Sequence, residues 1–131
     1  MSKNQIALDM FAVDAASQKL GIELIEIGDG YAKMSMTITE DMVNGHAITH
    51  GGYVFILADT TFAMACNSRD DAAVAARCDI RYLRPTKAGD VLVAEAVERA
   101  RFGRNGIYDV AVTCENKPVA EFRGDSRIVN R

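Results

Sequence analysis

The 131-residue chain reads as an α+β fold, with one central helix wrapped by a curved antiparallel sheet. Three observations lead there. Residues 51–67, from Gly51 to Asn67, are apolar almost all round, so that helix needs cover on nearly every side. The other long runs have strand-like composition, several of them alternating apolar and polar residues. Short turn signals separate them, and sequential hairpins favour antiparallel pairing. A sheet that curls around the helix satisfies all three, with helix and sheet as segregated layers.

The elements follow in order. Residues 1–20 hold an N-terminal helix. Its amphipathic part spans 4–19, where Ile6, Met10, Val13 and Leu20 recur at helical intervals, and Gly21 ends it. Residues 22–27 and 31–39 are two strands joined at Gly28-Asp29-Gly30. In the second, Ala32, Met34, Met36 and Ile38 alternate with polar neighbours, as in a strand with one wet face. Residues 40–50 form a polar loop, and the central helix follows at 51–67. Four more strands are expected. In 74–83, Val74, Ala76, Cys78, Ile80 and Tyr82 share one face. Strands 90–101 and 106–115 flank a hairpin signalled by Asn105-Gly106. Residues 115–118 then turn into a last strand near 119–129.

Length and composition fit one domain over residues 1–131. The net charge of −3 argues against nucleic acid as a partner. No apolar run approaches the roughly 20 residues of a membrane span. Cys66, Cys78 and Cys114 sit at no metal spacing, and an odd count without a secretory leader points to reduced thiols in the cytoplasm.

Chemistry concentrates at the start of the central helix. Asp59 is the only charged residue between Asp41 and Arg69, and a carboxylate in such a helix is costly to bury unless paired or used. Gly51 and Gly52 open the helix, where free N–H groups and the helix dipole favour a developing negative charge. They make an oxyanion hole for a thioester or ester carbonyl. Asn44 could donate to the same oxygen or hold water. His50 could fix the loop or assist the leaving group. Asp59 could activate water or attack the carbonyl itself. It lies eight residues beyond Gly51, about 12 Å further along the same helix, whereas reacting atoms must come within about 3.5 Å. Two antiparallel copies of the helix remove the difficulty: a twofold dimer sets Gly51 of one subunit against Asp59 of the other. His46 and His50 with Asp59 suggest a metal set, but the glutamate expected after the first histidine is missing and the paired glycines suit a backbone contact better.

The run Asn44…His50-Gly51-Gly52…Leu57-Ala58-Asp59, followed by Ala63, Ala65 and Asn67, resembles the signature of hotdog-fold acyl-CoA thioesterases, nearest the PaaI type associated with phenylacetate degradation. Tyr82-Leu83-Arg84-Pro85, Gly89-Asp90 and the Arg101–Arg104 turn extend the likeness over roughly residues 20–128. The resemblance implies a hotdog fold and hydrolysis of a small, aromatic acyl-CoA to the free acid and coenzyme A, without metal or organic cofactor. It implies that Gly51 and Asn44 polarise the carbonyl. Asp59 of the partner subunit then acts as base or nucleophile, with His50 assisting. It also implies homodimers that pair into tetramers. Arg84, Lys87, Arg101 and Arg104, at strand ends and turns, are candidates for holding the coenzyme A phosphates. Rival readings are a hotdog enoyl-CoA hydratase or dehydratase, and a non-catalytic acyl-CoA binding module.

Overall fold

A computed structural model of the chain describes residues 4–129. In chain order it has α1 (Gln5–Ala12), α2 (Ala15–Lys19), β1 (Glu23–Gly28), β2 (Tyr31–Thr37), a 3₁₀ turn (Glu40–Met42), α3 (Gly51–Cys66), β3 (Ala73–Tyr82), β4 (Val91–Phe102), β5 (Asn105–Cys114) and β6 (Lys117–Ile128). The strands form one sheet in the order β1-β2-β4-β5-β6-β3, antiparallel at every step. Helix α3 lies across its inner face.

That face is what the alternation dictates. Ala32, Met34 and Met36 of β2 are buried, as are Leu92, Ala94 and Ala96 of β4, Tyr108, Val110 and Val112 of β5, and Ala120 and Phe122 of β6. They enclose Leu57, Ala58, Phe62, Met64 and Ala65 of α3. The ring of Phe62 stacks edge-on against Tyr108 at 5.7 Å and lies over Gly124, where a Cβ would come within 2.7 Å of it. Only glycine lets this aromatic ring meet the strand backbone.

The ends of α3 are anchored by side chains. Asn67 caps its C-terminus; its Nδ2 donates to the carbonyls of Ala63 (2.8 Å) and Ala73 (3.0 Å), and its Oδ1 accepts from Ala73 N–H (2.9 Å). Ser68 Oγ donates to the Ala65 carbonyl and accepts from Gly30 N–H in the β1–β2 turn. Helix, turn and edge strand are thus joined through two buried polar residues.

Three expectations need correction. The N-terminal helix, expected as one piece within residues 1–20, is two helices among the described residues; residues 1–3 lie outside them. Asp14 makes the break. Its carboxylate accepts from Ser17 N–H (3.0 Å) and Ser17 Oγ–H (2.7 Å), so it caps a new helix instead of continuing the old one. The β4–β5 turn falls at Gly103-Arg104, with Phe102 paired to Asn105, and not at Asn105-Gly106. Gly103 takes the positive φ of 60° that a two-residue hairpin turn requires. Gly106 is a packing glycine, since a Cβ there would stand 2.7 Å from Ser126 Oγ. Finally, β3 does not keep one phase. A bulge between Ala75 and Arg77 resets it. Val74, expected inward, is 52% exposed, whereas Ala73 is buried and Cys78 and Ile80 turn toward the helix.

Candidate active site

The loop before α3 is built around Asn44. Its backbone N–H donates to the Ile48 carbonyl (2.8 Å), and its Oδ1 accepts from His46 N–H (2.9 Å) and Ile48 N–H (3.4 Å). The oxygen end of the amide therefore shapes the loop, and among the described residues Nδ2 has no acceptor. Ala47 takes a positive φ of 61° inside this tight turn. Thr49 ties the loop to the segment after β3, through its N–H to the Thr86 carbonyl (2.8 Å) and between the two hydroxyls (2.7 Å).

His50 is the N-cap of α3. Its Nδ1 accepts from Gly52 N–H at 3.1 Å, so its proton sits on Nε2. Tyr53 N–H is also occupied, by the His50 carbonyl. Gly51 N–H is left without a partner among the described residues, at the positive end of the helix. Tyr82 closes the other side of Gly51. Its hydroxyl donates to the Gly51 carbonyl (3.0 Å), and a Cβ on Gly51 would stand 3.0 Å from its Cζ. Gly51 and Asn44 line one cavity of about 430 Å³, together with Val54, Tyr82, Arg84 and Thr86. Both lining residues thus carry an N–H group without an acceptor among the described residues.

Asp59 lies outside this cavity. It is half-buried on α3 and faces Cys78 of β3, whose Sγ stands 3.9 Å from Oδ1. Burial pushes its carboxyl above the usual range; the Cys78 thiol opposes this and the charge of Asp14 adds to it. Gly52, Ile56, Asp59 and Ala63, spaced four, three and four apart, form a stripe of α3 that the chain's own sheet leaves partly uncovered. Apart from the aspartate this stripe suits helix–helix contact. The outer edge of the sheet beside it is β3, with unpaired backbone groups and with Tyr82 and Leu83 more than half exposed at its end.

The four basic candidates are not brought together within one chain. Arg84 lines the cavity, with Nε donating to the Pro118 carbonyl at 3.3 Å. Lys87 pairs with Asp90 (3.6 Å). Arg101 pairs with Asp71 (3.2 Å) and Glu98 (3.8 Å). Arg104 donates to the Ile128 carbonyl. Sequence reasoning did not single out Tyr82 or Cys78 for the site. The Tyr82 contact had a signal, since a glycine that opens a helix invites a close neighbour. The inward side of Cys78 was legible too, since it stands with Ile80 on the apolar face of the alternation, but that it meets Asp59 was not, because strand and helix are joined only by the fold.

The family model of the thioesterase superfamily matches residues 46–121. The acyl-coenzyme A thioesterase PaaI of Escherichia coli is 48% identical over 123 residues, 93% of this chain and 88% of that protein. A putative esterase of Archaeoglobus fulgidus is 34% identical over 122 residues, covering 92% and 79%. Among solved structures, the E. coli PaaI protein from the phenylacetic acid degradation operon superposes with a TM-score of 0.93 at 46% identity, over 96% of this chain and 92% of that one. By its central motif, its sheet order and these likenesses, the chain belongs to the thioesterase superfamily.

Proposed function

We propose that the protein is an acyl-CoA thioesterase that hydrolyses small aromatic acyl-CoA esters, of the phenylacetyl or hydroxyphenylacetyl type, in active sites shared between two subunits. One observation carries the reading: an unpartnered Gly51 N–H and the Asn44 amide line one cavity, while the half-buried Asp59 sits two turns along the same helix. The aromatic preference draws on the E. coli structural match, a protein of the phenylacetic acid degradation operon.

Two chains pair antiparallel through the free β3 edges, and the stripes of the two α3 helices meet. A twofold axis passing near Phe55 sets Gly51 of one chain against Asp59 of the other. The thioester carbonyl oxygen takes the hydrogen bonds of Gly51 N–H and Asn44 Nδ2. Asp59 of the opposite chain removes a proton from water as the water oxygen attacks the carbonyl carbon. The raised carboxyl suits a base, since its affinity for the proton moves toward the working pH. The oxyanion returns, the C–S bond breaks, and the leaving thiolate takes the proton from Asp59. His50 acts by capping: its ring holds Gly52 N–H and so keeps the first turn in shape. Two such dimers pair into a tetramer, and Arg84, beside the cavity, holds a phosphate of the coenzyme.

The test is a panel of acyl-CoA esters assayed for thiol release, with Asp59→Ala as the control. Turnover is expected to be highest for arylacetyl esters. The variant should lose at least about a hundredfold, since a positioned base contributes roughly 10²–10⁴. Parent-level turnover in the variant would refute the assignment.

A further inference from the structure

The bulge in β3 decides what stands beside Asp59. Ala73 is buried, so an unbroken alternation would turn Ala75, Arg77 and Asp79 toward α3. The register shift between Ala75 and Arg77 changes the phase, and Cys78 and Ile80 take that side. An arginine there would hold the carboxylate in a salt bridge and quench it as a base; an aspartate would repel it. The bulge delivers a small neutral donor instead. Bulges are a known device for re-aiming a side chain next to a site.

We propose that Cys78 is a positioning residue for Asp59: its S–H holds one carboxylate oxygen and leaves the other to face the reacting water. The proposal rests on the reading of Asp59 as the base. Cys78 Sγ is 3.9 Å from Oδ1 and is the one side-chain hydrogen-bond partner of Asp59 among the described residues. The groups around the carboxylate are Cys78 from β3, Asp14 from the elbow between α1 and α2, and Cys66 on α3 itself; the charges of Asp79 and Asp125, on the outer face of the sheet, act on the thiol in turn. No cation stands among them. Burial and the neighbouring carboxylates push the Cys78 thiol up to about 11, so it keeps its proton at neutral pH and acts only as a donor. A thiol is a weak donor. It orients the carboxylate without holding its charged form as firmly as a hydroxyl or an amide would.

The pH profile of kcat/KM tests this in Cys78→Ala, Cys78→Ser and Asp59→Ala, with Cys114→Ala as a distant thiol control. In Cys78→Ala the acid limb is expected to move up by roughly half a pH unit, a threefold loss at fixed pH on that limb. Cys78→Ser should move it back down to the parent position or below it, and Cys114→Ala should leave it in place. An unmoved limb in Cys78→Ala, or a serine variant whose limb stays with that of the alanine one, overturns the positioning role. Asp59→Ala separates the two claims. If it stays active, the reading of Asp59 falls and this proposal with it. If it is inactive while Cys78→Ala keeps the parent profile, only the positioning role falls.

Discussion

Asp59 sits where burial opposes its charge, and that has a consequence for stability as well as chemistry. Its carboxyl titrates higher in the folded chain than in the unfolded one. The stabilisation of the protonated form is therefore complete below the unfolded carboxylate value, near 4, and is lost as pH rises through the folded value. Asp59→Asn removes the charge and keeps the shape. It should melt roughly 2–5 °C higher than the parent at pH 7.5 and about level with it at pH 3, while turnover falls at least about a hundredfold. Thermal melts at the two pH values check this; a lower melting point at both would make the carboxylate a structural group. Asn44 divides its labour between its two ends. Asn44→Asp keeps the oxygen that accepts from His46 and Ile48 and replaces the donor. The loop should survive, and kcat should fall about 10²–10³-fold, the usual cost of one oxyanion donor. As candidates, the aspartate, the glycine and the asparagine were legible in the sequence, because a lone charge in an apolar helix and a polar Gly-rich loop are local patterns. Whether each arginine meets a phosphate or a neighbouring carboxylate depends on pairing across strands, which no local pattern reports.

Helices and strands show the same division. The central helix and all six strands could be read from period and composition, and every strand lies within two residues of its expected ends. What was misread lies where one residue type serves two ends. Asn105-Gly106 looks like a turn because both residues tolerate positive φ, but Gly103 takes the turn and Gly106 makes room for Ser126. Asp14 looks like the polar face of one helix and is the cap of the next. Gly124 carries no turn signal at all, yet it decides how closely β6 approaches α3. Gly124→Ala drives a methyl into Phe62 and should destabilise by about 1–3 kcal/mol, as overpacking does. Denaturant unfolding measures it. Pairing it with Phe62→Leu, which withdraws the ring, should recover part of the loss, and no recovery would place the strain elsewhere.

The proposed mechanism needs more than one chain. In the proposed site, the Gly51 N–H that would take the carbonyl oxygen and the Asp59 carboxylate lie about 12 Å apart along one helix, too far to act on one carbonyl. It also leaves one helix stripe and one sheet edge uncovered, both beside the carboxylate. The geometry that separates the groups within a chain is the geometry that a twofold partner corrects. The proposal of that partner comes from the sequence, from the spacing of Gly51 and Asp59. The surfaces proposed to meet were not legible there, because the bulge turns Val74 outward and the free edge appears only once the strand order is known.

Subunit complementation between Asn44→Asp and Asp59→Ala tests the shared site most directly. Each variant alone should be nearly inactive. Mixed at random, half the dimers carry one copy of each, and one of their two sites is then intact, so about a quarter of the parent activity should return. If both groups act within one chain, every site in the mixture keeps a defect. Activity that stays at the level of the two variants measured apart would contradict a site built from two subunits.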